Sequence, residues 1–125
     1  MNVIDSCGWI EVFAGGPLSD LFMPYLRDLH AVMTPTIVVY EVYRKLKQTT
    51  SEDDALSALT ILQQTRVVPL SVGISLTAAD LAIQYRLSMA DAIVLATGYE
   101  SDADIVTSDR AFENLPRVVY YTKRA

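Results

Sequence analysis

Cysteine and histidine are almost absent: the 125 residues include one cysteine, Cys7, and one histidine, His30. A single cysteine excludes an intramolecular disulfide and a cysteine zinc cluster, and it favours a reducing compartment. We expect Cys7 to be a small buried apolar residue. His30 follows Leu29 near the end of a predicted helix, so we expect a surface or packing residue there rather than a general base.

Long apolar runs are also missing. The longest stretch without a charged residue is 67–79, thirteen residues that include a proline and a glycine, whereas a membrane-spanning helix needs ~18 or more. The first fifteen residues contain Asp5 and Glu11 but no basic residue, which is the reverse of a signal peptide. We therefore expect a soluble cytoplasmic protein with no membrane segment. The length and the 51% hydrophobic content predict one compact domain over 1–125.

Positive charge is in deficit, with ten basic residues against fifteen acidic ones and a net charge of −5. Taken alone, this balance disfavours a protein that binds phosphate backbones nonspecifically. The objection weakens if several carboxylates lie together and hold divalent cations, because the ions then contribute to the charge of that face. The placement of the acidic residues therefore decides between these possibilities.

Short apolar runs alternate with helical patterns along the whole chain. Three helices have expected N-caps at Thr36, Ser51 and Ser88, and Pro69 indicates that the third strand lies at a sheet edge or ends there. The alternation predicts an α/β fold with a mostly parallel five-stranded sheet covered by helices on both faces. We predict strands at 2–5, 31–34, 66–70, 104–107 and 118–121, and helices at 6–13, 17–30, 36–48, 51–65, 75–87 and 89–100.

Four of the fifteen acidic residues stand out by position. Asp5 and Asp109 follow predicted strands, and the ligand site of a parallel sheet lies beyond the carboxyl ends of its strands. Glu41 has apolar neighbours on both sides, and Asp91 is the only charge near the start of a helix that is apolar nearly all round. Buried carboxylates need partners, so these four residues are candidates for a shared site.

Each of the four also has a structural explanation, which the sequence leaves open. Asp91 completes a capping box with Ser88, and Glu41 is one helical turn from Lys45, with which it can form a surface ion pair. Asp5 can cap the helix that follows it, and Asp109 can cap a short helix through 111–112.

The combination of the four acids points to metal ions. Two carboxylates ~5 Å apart repel by roughly 3 kcal/mol at an effective dielectric of about 20, and no basic residue is placed in sequence to neutralise four of them. Mg²⁺ and Mn²⁺ are the usual counter-ions, because hard divalent cations take oxygen ligands and keep water in their remaining positions.

The same residues resemble the PIN-domain ribonucleases, in particular the small VapC-type toxins of toxin–antitoxin pairs. The resemblance covers nearly the whole chain and rests on Val3-Ile4-Asp5-Ser6, on Glu41 after an apolar run, on 87–97 and on 106–112. It implies a three-layer α/β fold whose parallel five-stranded sheet has a central first strand. It also implies a metal-binding quartet of Asp5, Glu41, Asp91 and Asp109, with Ser6 and Thr107 as polar supports.

This resemblance implies a metal-dependent endoribonuclease that acts as a toxin, forms a homodimer and is silenced by a small antitoxin. Hydrolysis of RNA needs an activated water and stabilisation of the leaving oxygen, and Mg²⁺ or Mn²⁺ supplies both. The amphipathic segment 18–29 is the expected groove for an antitoxin helix.

Basic residues near the quartet are the expected RNA contacts. Arg44, Lys45 and Arg110 adjoin quartet members in sequence, so we expect them to bind phosphates of folded or single-stranded RNA. A second group of basic residues gathers near the last strand or flanks the Glu41 helix. We expect Lys47, Lys123 and Arg124 of this group on a solvated face, and Arg117 belongs to the same group.

Other families and a silent PIN-like protein are the alternatives. A phosphoacceptor receiver domain expects paired acids early in the chain, a haloacid-dehalogenase-like phosphatase expects Asp-x-Asp where Cys7 stands, and Gly15-Gly16 does not match a nucleotide-binding glycine loop. A catalytically silent PIN-like scaffold that binds a protein or RNA has the same sequence features, so it stays open.

Overall fold

Five parallel strands form one sheet in the computed structural model, which describes residues 1–122. From one edge of the sheet to the other they are the third, second, first, fourth and fifth strands of the chain, so the first strand is central, and every neighbouring pair is parallel. This confirms the predicted sheet. The strands are β1 (Asn2–Ile4), β2 (Val32–Pro35), β3 (Arg66–Val68), β4 (Asp104–Thr107) and β5 (Val118–Tyr120).

Helices connect the strands and cover the sheet. Because β1, β2 and β3 follow one another in one direction and β4 lies on the other side of β1, right-handed crossovers put the helices between β3 and β4 on the face opposite the helices between β1 and β3. This is the predicted three-layer arrangement. The helices are α1 (Ser6–Ala14), α2 (Ser19–Phe22), α3 (Thr36–Thr49), α4 (Glu52–Leu62), α5 (Val72–Tyr85) and α6 (Met89–Glu100), with 3₁₀ turns at Met23–Leu26, Leu29–Ala31 and Arg110–Phe112.

Several helix ends follow from local sequence. Helix α1 ends at Gly15, whose φ of 64° is readily adopted by glycine. The Ser51 hydroxyl accepts from the Asp54 N–H at 3.0 Å, and Ser88 caps α6 in the same way. Both serine caps are confirmed.

Three predicted helices differ from those observed. The segment 17–30 is a single turn of α-helix followed by two 3₁₀ turns, because Pro24 lacks the N–H that a continuous helix needs there. Thr36 is the first residue of α3 rather than its cap, since Pro35 holds the cap position without a side-chain hydrogen bond. Helix α5 begins at Val72, capped by Ser71, which is earlier than predicted.

The core lies between the sheet and its two helical layers. Central strand residues such as Val3, Ile4 and Ile105 are fully buried, as are Trp9 and Leu95 from opposite helical layers. In the part of the chain that the structure describes, no helix combines the length and apolar character needed to cross a membrane.

Candidate acidic active site

The carboxyl ends of β1 and β4 meet at the middle of the sheet edge. Asp5 directly follows β1, and Asp109 lies two residues after the end of β4. These strands are neighbours in the sheet, and the chain leaves them toward opposite sides. In parallel α/β sheets this reversal opens a crevice in which ligands bind.

Three carboxylates converge in this crevice. Oxygen atoms of Asp5, Asp91 and Asp109 lie within 4.8 Å of one another, and we refer to them as the acidic triad. Asp5 is 3% exposed, whereas Asp91 and Asp109 are half-buried. Asp91 comes from the first turn of α6, so the triad joins two strand ends to a helix start.

Glu41 belongs to the same electrostatic neighbourhood but lies outside the acidic triad. It is half-buried on α3. Burial raises the pKa of its carboxyl, and the charges of Asp91 and Asp109 raise it further, while a hydrogen bond with the Ser6 side chain acts in the opposite direction. The structure thus brings three of the four predicted acids into one cluster and places the fourth beside it.

Asp5 is the most buried carboxyl of the group. Burial raises its pKa to about 7, against the lowering effects of hydrogen bonds from Thr107 and from the Ser6 backbone, and the charges of Asp91 and Glu41 raise it as well. The Thr107 hydroxyl donates to Asp5 Oδ2 at 2.9 Å, and the Ser6 N–H donates to Oδ1 at 2.8 Å. Both predicted supports, Ser6 and Thr107, therefore contact the predicted acids.

Thr107 also connects two members of the acidic triad. Its Oγ1 accepts from the Asp109 N–H at 3.0 Å while its hydroxyl donates to Asp5. One buried side chain therefore fixes the position of Asp5 relative to the loop that carries Asp109.

Cys7 takes part in the same network, which sequence reasoning missed. Its Sγ lies 3.7 Å from Asp5 Oδ2 and 3.4 Å from Thr107 Oγ1, and it accepts from the Ser108 N–H at 3.4 Å. Burial raises the pKa of the thiol, which keeps it protonated at neutral pH. The sequence feature that could have indicated this role is the position of Cys7 two residues after Asp5, in the first turn of α1.

The structural roles considered for the aspartates hold alongside the cluster. Asp5 Oδ1 accepts the Ser6 N–H at the start of α1, and Asp109 Oδ1 accepts the Ala111 N–H at 3.0 Å. The Asp91 N–H donates to Ser88 Oγ at 3.3 Å. Asp5 and Asp109 therefore cap α1 and a 3₁₀ turn, Asp91 lies in the first turn of α6 behind its Ser88 cap, and all three carry a carboxyl of the shared cluster.

No basic residue neutralises these acids within residues 1–122. Lys45 forms no ion pair with Glu41, and none of the triad carboxylates pairs with a basic side chain. The repulsion among the carboxylates therefore has no internal compensation in that range. An all-oxygen donor set of this kind suits a hard divalent cation such as Mg²⁺ or Mn²⁺.

The basic residues that flank the Glu41 helix or gather near the last strand divide into two groups. Arg44, Lys45 and Arg110 are exposed, and across the described chain none of them forms an ion pair. Arg117 instead binds Asp102 and Asp104, and Lys47 binds Glu52 at 3.2 Å. His30 is exposed, as expected. Lys123 and Arg124 lie outside the described residues.

Known structures share this fold. A toxin–antitoxin complex from Klebsiella pneumoniae matches with a TM-score of 0.83 and 22% identity over 98% of this chain and 100% of the other. VapC20 of Mycobacterium tuberculosis, described as a sarcin-ricin loop cleaving toxin, matches with a TM-score of 0.72 and 17% identity over 84% and 87%. VapBC2 from Rickettsia felis, bound to a DNA fragment from its promoter, matches with a TM-score of 0.76 and 15% identity over 97% of both chains.

No curated protein matches the sequence, but a protein-family model does. The model of the PIN domain matches residues 3–118. That range includes β2, β3 and β4, most of β1, the first residue of β5 and the whole acidic site described above. The chain therefore belongs to the PIN domain family.

Proposed function

We propose that this protein is a divalent-metal-dependent endoribonuclease that acts in the cytoplasm as the toxin of a toxin–antitoxin pair. The observation that carries the proposal is the acidic triad, Asp5, Asp91 and Asp109, which lies at the crevice of the sheet with no basic partner among residues 1–122. The structural similarity to VapC20 of Mycobacterium tuberculosis, a sarcin-ricin loop cleaving toxin, supports the choice of reaction.

In this proposal the triad and Glu41 hold Mg²⁺ or Mn²⁺. When bound, the metal supplies an activated water and stabilises charge on the leaving oxygen. Thr107 fixes the position of Asp5 relative to Asp109 through two hydrogen bonds, and Ser6 orients Glu41 through one. Arg44, Lys45 and Arg110, which form no ion pair within residues 1–122, would bind the phosphates that flank the scissile bond.

The decisive experiment is incubation of the purified protein with a mixed RNA pool, with and without Mg²⁺ or Mn²⁺. We expect cleavage only when metal is present, and none from Asp5→Asn, which is nearly isosteric and removes one charged ligand. If the wild-type protein binds Mn²⁺ through the triad but cleaves no RNA, the silent-scaffold alternative replaces this proposal.

We further propose that the protein is a homodimer, whose interface includes an apolar face of α5. Val72, Leu76 and Ile83 are 78%, 65% and 81% exposed and lie on one side of the helix by their spacing. Beside them is a largely apolar cavity of about 350 Å³ whose lining includes Leu70 and Met89. Exposed apolar patches of this kind mark interaction surfaces. In a symmetric dimer, the patch on each copy would be covered by the same patch on the other.

Size-exclusion chromatography with light scattering tests the dimer. We expect a dimer for the wild-type protein and a monomer for Ile83→Asp, because a buried unpaired charge opposes association. A wild-type monomer at micromolar concentration would contradict the proposal, and Leu56→Asp, on α4, is the control for an exposed charge.

A small antitoxin is the proposed partner that silences the toxin. The segment 18–29 supports it, since Leu18 and Phe22 are buried whereas Leu21 and Met23 are 43% and 46% exposed, which leaves apolar surface for a partner helix. Expression of this chain alone should arrest growth, and co-expression with the adjacent small reading frame should restore it. Harmless expression at high level would exclude the toxin assignment.

A further inference from the structure

One aromatic side chain differs from all the others in exposure. The chain has seven tyrosines, three phenylalanines and one tryptophan, and all of them lie within the described residues. Tyr40 is 61% exposed, whereas the other ten are buried or half-buried. A single exposed apolar residue means little by itself, so its surroundings decide whether it has a role.

Tyr40 lies beside the acidic site. It directly precedes Glu41 on α3, and the two residues line a cavity of about 240 Å³ together with Ser6, Ile10, Arg44, Lys45 and Gln48. Since Ser6 also contacts Asp5 and Glu41, this cavity is continuous with the acidic site rather than a separate feature of the surface.

The cavity combines an aromatic ring with two cations that are available for a ligand. Arg44 is four residues from Tyr40, which places the two side chains on the same face of α3, and Lys45 is adjacent. Neither cation forms an ion pair in the described chain. Lys47 shows the contrast on the same helix, because it is held by Glu52 and lies 5.6 Å from the centre of the Tyr43 ring.

We propose that Tyr40, Arg44 and Lys45 form a subsite for one unpaired nucleotide of the RNA, next to the bond that is cleaved. The base stacks on the Tyr40 ring and its phosphate binds Arg44 or Lys45. A base exposes its face only when it is unpaired, so this subsite selects single-stranded or looped RNA over duplex. The inference rests on the proposed function, for which it names the form of the substrate.

The test is the binding of short RNA in EDTA, where a metal-dependent nuclease leaves it intact. The probe is fluorescently labelled oligoadenylate of about eight nucleotides. We expect Tyr40→Ala to weaken binding about 5- to 150-fold, the loss that corresponds to ~1–3 kcal/mol for one stacked base. Tyr40→Phe, which keeps the ring, should bind like the wild-type protein, and Leu56→Ala is the control for loss of an exposed side chain.

An abasic series identifies stacking as the cause. Each probe of the series carries one abasic nucleotide, at a different position in each probe. At one position the abasic nucleotide should weaken binding to the wild-type protein, whereas it should not weaken binding to Tyr40→Ala any further. This non-additivity is expected for two groups in direct contact. Additive losses at every position would overturn the inference, as would equal affinity of the wild-type protein for a duplex of the same length.

The salt dependence of binding and the kinetics of cleavage distinguish failure of the subsite from failure of the proposed function. The double variant Arg44→Ala/Lys45→Ala should reduce the salt dependence of binding by about one phosphate contact, whereas Lys47→Ala should not. In cleavage assays Tyr40→Ala should raise KM with kcat nearly unchanged. Cleavage with an unaltered KM would overturn the subsite alone, while base-dependent binding without any cleavage would retain the subsite and refute the nuclease. If Tyr40→Ala weakens only antitoxin binding, the surface belongs to the protein partner and the inference is wrong.

Discussion

Strand β4 carries acidic residues at both ends, and the two ends differ in electrostatics. Asp104 at the amino end, with the nearby Asp102, is bound by Arg117. Asp109 beyond the carboxyl end joins Asp5 and Asp91 without any basic partner among residues 1–122. We refer to the first group as the arginine clamp.

The pKa values show what this difference means. The hydrogen bond from Arg117, together with its charge, lowers the pKa of Asp102, whereas burial raises the pKa of Asp5 to about 7. The charged form of Asp102 is thus stabilised by a guanidinium of the chain itself. Buried aspartates without one require a cation from solution, so the presence or absence of one arginine separates a structural ion-pair cluster from a candidate metal site.

The largest expected effect is on RNA cleavage. Asp91→Asn should reduce metal-dependent cleavage at least about 100-fold, because even residues that only support metal ligands contribute 10- to 100-fold. Asp104→Asn, in the arginine clamp, should leave the rate unchanged. The measurement is initial cleavage rate with Mn²⁺, with far-UV circular dichroism to show that both variants are folded. A wild-type rate for Asp91→Asn would mean that Asp91 is only a helix cap.

The next effect is on thermal stability in the presence of metal. A hundredfold excess of Mn²⁺ over its Kd should stabilise the fold by ~2.7 kcal/mol, or about 10 °C in Tm for a chain of this size. Asp109→Asn should blunt the rise, and Asp102→Asn should respond like the wild-type protein. An unchanged response in every triad variant would rule out a shared site.

A smaller effect is expected for pH in EDTA. The folded-state pKa of Asp5, about 7, exceeds the value of roughly 3.9 in unfolded chains, so its protonated form stabilises the fold. That stabilisation is complete below about pH 4 and is lost as pH rises through about 7. The Tm of the metal-free protein should therefore fall by several degrees between about pH 5 and pH 8, and Asp5→Asn should flatten the curve.

The arginine clamp provides a control, because the pKa of Asp102 is shifted in the direction opposite to that of Asp5. Because the pKa of Asp102 is lowered, its contribution is present at neutral pH and is lost only on strong acidification. Asp102→Asn should therefore leave the slope between about pH 5 and pH 8 as it is in the wild-type protein. A slope equally altered by both variants would show that net charge, rather than Asp5, sets the pH dependence.

The smallest effect is expected for the clamp itself. Arg117→Ala should lower Tm by a few degrees at most and less in high salt, since exposed ion pairs contribute little and are screened. RNA cleavage should be unaffected. Differential scanning fluorimetry at two salt concentrations measures the shift, and a large loss of cleavage would place Arg117 in the RNA-binding surface instead.

The sequence identified much of the fold because local signals agreed with one another. The serines before α4 and α6 mark helix starts through their own hydrogen bonds, and the alternation of strands with helices implies a parallel sheet. It failed at 17–30, where apolar spacing indicated a helix but Pro24 and tertiary packing break the chain into short turns. Periodicity records which side chains are buried, not whether the backbone between them stays helical.

The sequence by itself determined which acids follow strands and which start or interrupt apolar helices. Only the tertiary structure decided that Asp5, Asp91 and Asp109 lie within 4.8 Å of one another with Glu41 beside them, that Cys7 joins their network, and that Tyr40 remains exposed. The physical reason is that strand ends and caps arise from neighbours in sequence, whereas distances between residues about a hundred positions apart depend on strand order and helix packing.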